Sequence, residues 1–373
     1  MASGAWLLPL SLLKLMPSGR AQIEAPPVAN EAVQFAVRTY QPQDEQGVIR
    51  LLQQTLPRWT TCNDPAALWR WKHTQSPFGK SHVMVAAGRD DTILGVVALM
   101  PWRLRLGEHL LPCVRTVDMA THPAHQRQGI ASSFWTPSVQ HLSAAKVALS
   151  FHTPNRRSVA FSQKAGRWVV KLQPMFSIVH PLRLVPAPLR SRNAAMRGGL
   201  MRALRAEPWT VDTLLAREGS AVDELLAHSA LLAGNRLQTE RSAAYLAWRY
   251  AAHPTHSYYA VWVKSGSTID GCIIFRLGSW RGARRLVIEE VLLRRSDFKV
   301  VAELRRELRR TVDADLIQCY DTAGTWYREL LGRPVLPTPR KFNFTVGVFA
   351  PALGNMPLDL AHWSLSLGDL ESI

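Results

Sequence analysis

The segment VDMATHPAHQRQGIAS, residues 117–132, decides the fold of this chain. Its first residues are apolar and predict a strand, its middle is a polar loop with one glycine, and its end begins a helix-forming run. This order leaves the first amides of the helix without partners, and the helix dipole is positive at the same place. We therefore expect the segment to bind an anion, and a phosphate fits such a site well.

Three residues of the loop strengthen this expectation. Gly129 has no side chain, so a bulky phosphate can approach the backbone closely there. Arg127 and Gln126 add side-chain donors beside it. A glycine loop before a helix is common, so the loop alone predicts the ligand weakly and the residues that follow it matter.

The order of residues after the loop resembles the GNAT superfamily of acyl-CoA-dependent N-acyltransferases. That family has Gln/Arg-x-x-Gly-x-Gly/Ala before a helix, then a strand, an asparagine, a tyrosine seven positions on and a glycine four further. Here residues 126–131 match the first motif, and Asn155, Ser162 and Gly166 follow a predicted strand over 146–151. Ser162 stands where the family has tyrosine, and Arg167 stands where phenylalanine is usual.

The segment ahead of the loop fits the same family. Alternating and amphipathic patterns predict a β-α-α-β-β-β order, and Gly95 lies where the family has a glycine in its third strand. The resemblance covers residues 35–170. The predicted strands and helices are strand 35–40, a helix from 42 to 56, a helix from 64 to 77, and strands 83–87, 93–100 and 110–120.

The resemblance implies that acetyl-CoA or another acyl-CoA is the co-substrate, and no metal is expected. The backbone of the strand before the loop would line the pantetheine arm, at Met119, Ala120 and Thr121. The diphosphate would contact the loop and helix start, at Gln126, Arg127, Gln128, Gly129, Ile130, Ala131 and Ser132. Asn155 suits a helix cap, and the family also uses it to touch the CoA arm, so both roles are open.

Three residues are candidates for proton transfer in a direct acyl transfer without an acyl-enzyme. Asp118 lies in the strand beside the acyl group, where a structural hydrogen-bond acceptor is as good an interpretation as a general base. His152 ends the next strand and has a pKa suited to base work, although a lone histidine near a turn is often a capping residue. Ser162 could replace the missing tyrosine as the acid for the thiolate, or could be an ordinary helix serine.

The second half of the chain echoes the first, which predicts tandem domains. Trp69-Arg70-Trp71, Pro77 and Gly95 are matched by Trp248-Arg249-Tyr250, Pro254 and Gly271. The second copy has no glycine in residues 294–299, where the phosphate loop would lie, so we expect a degenerate copy that holds no CoA. It continues with a predicted arginine-rich helix over 300–312 and a strand over 342–348.

The expected fold class is α+β, with tandem GNAT-like domains that each have a mixed, mostly antiparallel central sheet flanked by helices. Residues 1–34 are predicted as a flexible extension, because residues 17–34 are rich in proline, alanine and glutamate, and the apolar run before them is too short to span a membrane. Residues 35–180 form the acyl-CoA-binding catalytic domain, 181–207 a basic linker, and 208–373 the degenerate domain.

Composition restricts the partners without naming them. The formal net charge of +17 favours anionic partners, and the four scattered cysteines suit a reducing compartment, so we expect a cytoplasmic protein. The acceptor is expected to be an amine, with anionic molecules and cell-envelope precursors among the kinds to consider. Nucleic acid is disfavoured, because no helix-turn-helix or basic-aromatic RNA motif is present.

Two other functions stay open at this point. The first is a non-catalytic GNAT-fold module that binds an anionic polymer or nucleic acid through its arginine-rich surface. The second is an aminoacyl- or acyl-carrier-dependent transferase that acts on cell-envelope precursors, since two fused copies with a cleft between them suit a large acceptor. The sequence does not name the acceptor, the acyl length or the oligomeric state.

Overall fold

The structure is a computed structural model of the 373-residue chain. It describes residues 34–164, 167–183, 204, 209–320, 322, 326–332 and 334–370. The predicted N-terminal extension and most of the predicted basic linker lie outside these residues, as does Gly166.

The first half folds in the predicted element order. Its strands are β1 (Phe35–Thr39), β2 (His82–Gly88), β3 (Ile93–Leu106), β4 (His109–Thr121), β5 (Leu149–His152) and β6 (Trp168–Leu172). Its helices are α1 (Glu45–Thr55), α2 (Pro57–Thr60), α3 (Pro65–His73), α4 (Ile130–Ser133), α5 (Trp135–Ala144) and α6 (Arg156–Lys164). The start of α3 shows how the sequence sets a boundary: Asp64 accepts a hydrogen bond from the Ala67 amide at 2.8 Å, and proline fits the first helical position.

The first half ends with β7 (Met175–Ile178), and the second half has a similar order of elements. Its strands are β8 (Trp209–Thr210), β9 (Gln238–Thr239), β10 (Tyr258–Ser265), β11 (Thr268–Trp280), β12 (Ala283–Leu293), β13 (Leu316–Cys319), β14 (Val335–Pro337) and β15 (Phe342–Val348). Its helices are α7 (Val211–Leu232), α8 (Ala243–Leu246) with a π-helical turn over Ala247–Ala251, α9 (Phe298–Thr311) and α10 (Tyr327–Leu331). The predicted arginine-rich helix and the predicted strand over 342–348 are both confirmed.

The strands form two sheets of the same design. The first has the order β1-β2-β3-β4-β5-β15-β6, with β9 paired to β3, and the second has the order β8-β10-β11-β12-β13-β7-β14. In the described chain, β4 pairs with β5 and β12 with β13 in parallel, whereas the other paired strands are antiparallel. The two mixed, mostly antiparallel sheets flanked by helices confirm the predicted α+β class.

Each sheet receives its sixth strand from the other half of the chain. After β6 the chain crosses directly to the second sheet, where β7 pairs with β13 and β14. After β14 it returns, and β15 inserts between β5 and β6 of the first sheet. The domain boundaries at residues 180 and 208 stay a prediction. One strand from each half belongs to the sheet of the other half.

One apolar core runs through both halves, and a pair of tryptophans lies within it. The indole N–H of Trp71 donates to the carbonyl of Trp248 at 2.7 Å, and the indole of Trp248 donates to the carbonyl of Trp71 at 2.8 Å. The two rings stack with their centroids 5.0 Å apart. The structure thus joins Trp71 with Trp248, whereas the repeat in the sequence aligned Trp69 with Trp248.

Changing Trp71 to phenylalanine should lower the stability of the folded chain. The substitution leaves the buried Trp248 carbonyl without its donor, and we expect the free energy of unfolding to fall by about 1–3 kcal/mol. Urea unfolding measures the change, with Trp280→Phe as the control because Trp280 is 42% exposed. Equal shifts in the two variants would contradict a special role for the tryptophan pair.

Candidate active site

The first sheet opens between β4 and β5. These parallel strands pair only at Cys113 with Leu149 and at Val114 with Ser150. Beyond that point β4 continues to Thr121, whereas β5 ends at His152. The unpaired length of β4 therefore borders a cleft with free backbone groups, and such groups require a ligand, water or side chain as partner.

A β-bulge lies at this opening. Ala120 pairs with Val96 and Val117 pairs with Ala98, so Asp118 and Met119 together oppose a single residue of β3. Asp118 has a φ of +50°, a left-handed conformation that costs a non-glycine residue energy. Because of the bulge, the Met119 side chain lines the cleft, while Val117 and Ala120 remain in the core.

The Asp118 carboxylate is anchored on the face of the sheet away from the cleft. Lys72 Nζ lies 2.6 Å and His73 Nε2 3.0 Å from its Oδ2 atom, and both side chains come from the end of α3. The Trp59 indole donates to its Oδ1 atom at 3.0 Å. Burial alone would raise the pKa of Asp118, but the Lys72 charge and the His73 hydrogen bond together hold that pKa well below its usual range.

This environment favours the structural interpretation of Asp118 over the catalytic one. A carboxylate whose pKa is strongly depressed is a weak base, and three donors already occupy its oxygens. The contacts of the Asp118 carboxylate instead hold the strained bulge in place. The sequence pattern did not reveal these donors, because Lys72 and His73 look like ordinary polar residues at the end of a helix.

The predicted phosphate loop is exposed and open. Gly129 has a φ of +85° at the start of α4, and a side chain added there would meet no atom within 4 Å. Among the described residues, the backbone amides of Gly129, Ile130 and Ala131 have no hydrogen-bond acceptor. The side chain of Gln126 donates to the Thr121 carbonyl at 3.4 Å, which joins the loop to the end of β4.

Gly95 brings the start of α4 against the sheet. A Cβ at Gly95 would lie 2.6 Å from Ile130 Cγ2 and 3.3 Å from Phe134, so only glycine permits this packing. Ile130 and Phe134 are buried, which leaves the rest of the loop facing outward. The free amides are therefore held at the end of the cleft and not on a detached loop.

Four side chains meet in the cleft at the end of β5. His152 Nε2 lies 3.4 Å from Ser162 Oγ, and His152 Nδ1 lies 3.4 Å from Arg167 Nη1. Thr345 Oγ1, from β15, lies 3.1 Å from His152 Nδ1. Burial, reinforced by the charges of Arg167 and Arg115, lowers the pKa of His152 well below its ordinary value, so the imidazole is neutral near pH 7.

Asn155 occupies the predicted cap. Its side-chain oxygen accepts a hydrogen bond from the Ser158 amide at 2.9 Å, at the start of α6. A contact with CoA stays a prediction for Asn155, as it does for Met119, Thr121 and the loop residues. Arg167 and Thr345 were missed as site residues: Arg167 is marked in the sequence by its departure from the family pattern, whereas Thr345 arrives from a distant strand.

The second sheet has a similar opening, but the tail of the chain bridges it. β12 and β13 pair in parallel only from Arg285 to Val287, and β12 then runs on to Leu293. The Gly368 amide donates to the Glu289 carbonyl of β12 at 3.0 Å. Beyond β13, the Thr322 hydroxyl donates to the Trp363 carbonyl at 2.6 Å, so the tail connects both strands.

In the part of the chain that the structure describes, no helix is both long and apolar enough to cross a membrane. No group of three or more histidine, cysteine, aspartate or glutamate side chains converges there in a way that could hold a metal ion.

Replacing Asp118 by asparagine should be strongly destabilising at neutral pH. The variant leaves Lys72 buried without its counter-charge, and we expect the free energy of unfolding to fall by about 3–5 kcal/mol. Because the pKa of Asp118 is depressed in the folded state, its stabilising effect is present above about pH 4 and is lost as the pH falls further. Urea unfolding at pH 7 and pH 3 measures the difference in unfolding free energy between the wild type and the variant, which should be smaller at pH 3.

Asp91→Asn is the matched control for that experiment. Asp91 also has a left-handed backbone, with a φ of +59°, but its side chain is 88% exposed. We expect its substitution to change the free energy of unfolding by less than about 0.5 kcal/mol. A pH-independent difference between the wild type and Asp118→Asn would refute the buried ion pair.

Comparison with known proteins agrees with this geometry. Residues 36–170 match the family model of an acetyltransferase (GNAT) domain, and no curated protein sequence matches the chain. A GCN5-related N-acetyltransferase from Anabaena variabilis ATCC 29413 is 14% identical, with a TM-score of 0.59 over 84% of this chain and 73% of that one. A conserved protein of unknown function from Enterococcus faecalis V583, described as a probable N-acyltransferase, is 13% identical, with a TM-score of 0.60 over 85% and 73%.

A GCN5-related N-acetyltransferase from Kribbella flavida is 11% identical, with a TM-score of 0.53 over 86% of this chain and 72% of that one. At such low identities the solved structures support the fold and do not carry a substrate across. The family match in the first half is independent of them, and it covers the bulge, the loop and the opening between β4 and β5. Residues 36–170 are thus similar to a GNAT acetyltransferase domain, and the described chain shares its fold with GCN5-related N-acetyltransferases.

Proposed function

We propose that this protein is an N-acyltransferase that moves an acyl group, most simply acetyl, from acyl-CoA to an amine by direct transfer. The observation that carries the proposal is the alignment of three features along one cleft. These are the open loop with free amides at Gly129–Ala131, the bulge at Asp118 and Met119, and the separation of β4 from β5.

Each feature has a chemical task in this proposal. The loop amides and the positive end of the helix bind the diphosphate of CoA. The unpaired edge of β4 hydrogen-bonds the extended pantetheine arm, as an added strand would. The strained bulge aims a backbone N–H at the thioester carbonyl, where negative charge develops during transfer.

In this mechanism Asp118 is a positioning residue, whereas His152 and Ser162 line the cleft itself. With His152 neutral and Arg167 beside it, the cleft is electrically positive. A positive environment lowers the pKa of an ammonium group and so favours entry of the acceptor as a neutral amine. Acyl-CoA binding residues remain proposed as Met119, Ala120, Thr121, the loop from Gln126 to Ser132, and Asn155.

The alternative of an anion-binding module receives less support. Of the arginines on α9, Arg305 donates to the Glu329 carbonyl at 2.8 Å, and Arg309 donates to the Leu331 carbonyl at 3.5 Å. Arg310 pairs with Glu307 at 2.7 Å on the same helix. These contacts connect α9 to its neighbours and reduce the charge that it offers to a polymer.

Changing Gly129 to glutamate should abolish acetyl-CoA binding. The new carboxylate would lie where the diphosphate is proposed to bind, and the left-handed backbone disfavours any side chain. Isothermal titration calorimetry should show a Kd in the micromolar range for the wild type and at least a hundredfold weaker binding for the variant.

Gly282→Glu controls for the strain and the added charge. Gly282 has the same φ of +85° and equally open surroundings, but it lies in the turn between β11 and β12. We expect the affinity of the Gly282→Glu variant for acetyl-CoA to equal that of the wild type. Wild-type protein that fails to bind acetyl-CoA would end the transferase proposal.

A further inference from the structure

Arg167, which directly precedes β6, is a cation that the family pattern does not predict. Arg167 is half-buried beside the cleft, and burial lowers its pKa to about 10. Within the described residues no carboxylate lies at ion-pair distance from its guanidinium, and its Nη1 atom lies at hydrogen-bond distance from the His152 imidazole. A desolvated cation without an acid partner is costly, so its retention in a cleft points to an anionic ligand or a developing negative charge.

The fold makes room for this guanidinium. Gly347 lies on β15 beneath it, and a Cβ there would stand 3.7 Å from both Cγ and Cζ of Arg167. The arginine therefore lies flat over the backbone of the strand that the second half contributes. Its stem occupies space beside β15, and its charged end reaches the cleft near His152 and Ser162.

Arginine has donors and no acceptor, which decides the proton position on His152. Because Arg167 Nη1 can only donate, His152 Nδ1 must accept, and the imidazole proton belongs on Nε2. That proton has two acceptors within reach, Thr345 Oγ1 at 3.2 Å and Ser162 Oγ at 3.4 Å. The hydroxyl hydrogen of Ser162, which now lies toward the Ser158 carbonyl at 3.3 Å, is then the one that can turn to a ligand in the cleft.

We propose that Arg167, acting through His152 and Ser162, replaces the tyrosine acid that this chain lacks and stabilises the CoA sulfur as a thiolate. The inference rests on the proposed function. As the amine forms its C–N bond, the C–S bond breaks and its electron pair goes to sulfur, while the extra proton of the amine goes to water. The Ser162 hydroxyl hydrogen-bonds the departing thiolate, and the nearby positive charge lowers the pKa of the thiol.

The other charged groups around the opening do not line the cleft beside Ser162. Arg115, on β4, lies over the Trp102 ring at 4.8 Å on the opposite face of the sheet. Asp118, Lys72 and His73 are joined to one another beneath the bulge. In the part of the chain that the structure describes, Arg167 is the cation that lines the cleft beside Ser162.

The test measures the pKa of the thiol of CoA bound to the protein, which needs no acceptor amine. A pH titration of thiolate ultraviolet absorbance, taken as the difference with and without CoA, reports this pKa directly. Burial raises the pKa of the Cys113 and Cys272 thiols to about 12, and the same titration without CoA subtracts the absorbance of all four protein thiols. The rate of alkylation of bound CoA by iodoacetamide gives a second reading.

We expect the thiol pKa of bound CoA to be at least about one unit below that of free CoA, a tenfold gain in thiolate at a fixed pH. Arg167→Met should return it to the free value, Arg167→Lys should keep most of the depression, and Ser162→Ala should give a partial return. Arg309→Met is the control, because Arg309 is another partly buried arginine, on α9, and lies outside the cleft.

Calorimetry with CoA on each variant separates the two proposals. Wild-type protein that binds CoA with an unshifted thiol pKa, or Arg167→Met protein that binds CoA with the wild-type thiol pKa, overturns the role of Arg167 and leaves the transferase proposal intact. Wild-type protein that does not bind CoA overturns both. If a variant loses CoA binding through misfolding, Arg167→Lys is measured in its place. The thiol pKa of CoA bound to Arg167→Lys is expected to lie between the wild-type value and the free value. A full return to the free value would count against the role of charge.

Discussion

The contact between Trp71 and Trp248 is the constraint on which the two halves depend. Each indole satisfies the backbone carbonyl of the other, so neither residue can be repacked without leaving a buried polar group unpaired. The pair fixes the ends of α3 and of the π-helical turn against each other. Lys72 and His73, which anchor the Asp118 bulge, directly follow Trp71. The geometry of the cleft in the first sheet thus begins at the contact between the halves.

The two sheets differ at the opening between their parallel strands. In the first sheet the opening beside β4 is left free, and the loop after it presents unbonded amides. In the second sheet the tail bridges the corresponding opening, and Asp297 caps the following helix by accepting the Lys299 amide at 2.8 Å. A bridged opening and a capped helix have no place for an extended ligand arm or a diphosphate. This difference is physical support for one catalytic copy and one structural copy.

Local patterns in the sequence predicted most of the fold. Alternation and caps located β1 to β5 and α3 closely, and the glycine loop was predicted where the structure has it. Patterns of this kind do not specify which sheet a short apolar strand joins, because β7 and β15 would alternate in the same way in either sheet. The anchors of Asp118 were hidden for a similar reason, since the contact joins residues more than forty positions apart. Arg167 was visible as a departure from a family pattern, but its task depends on neighbours that only the fold brings together.

The exchange of β7 and β15 has a consequence for biosynthesis. The sheet that carries the proposed cleft is completed by residues 342–348, which leave the ribosome long after residue 172. Until then the edge of β6 and the end of β5 lack the neighbour that separates them, and an exposed strand edge invites pairing with another chain. The nascent first half is therefore expected to need protection by chaperones until residues 342–348 have been synthesised.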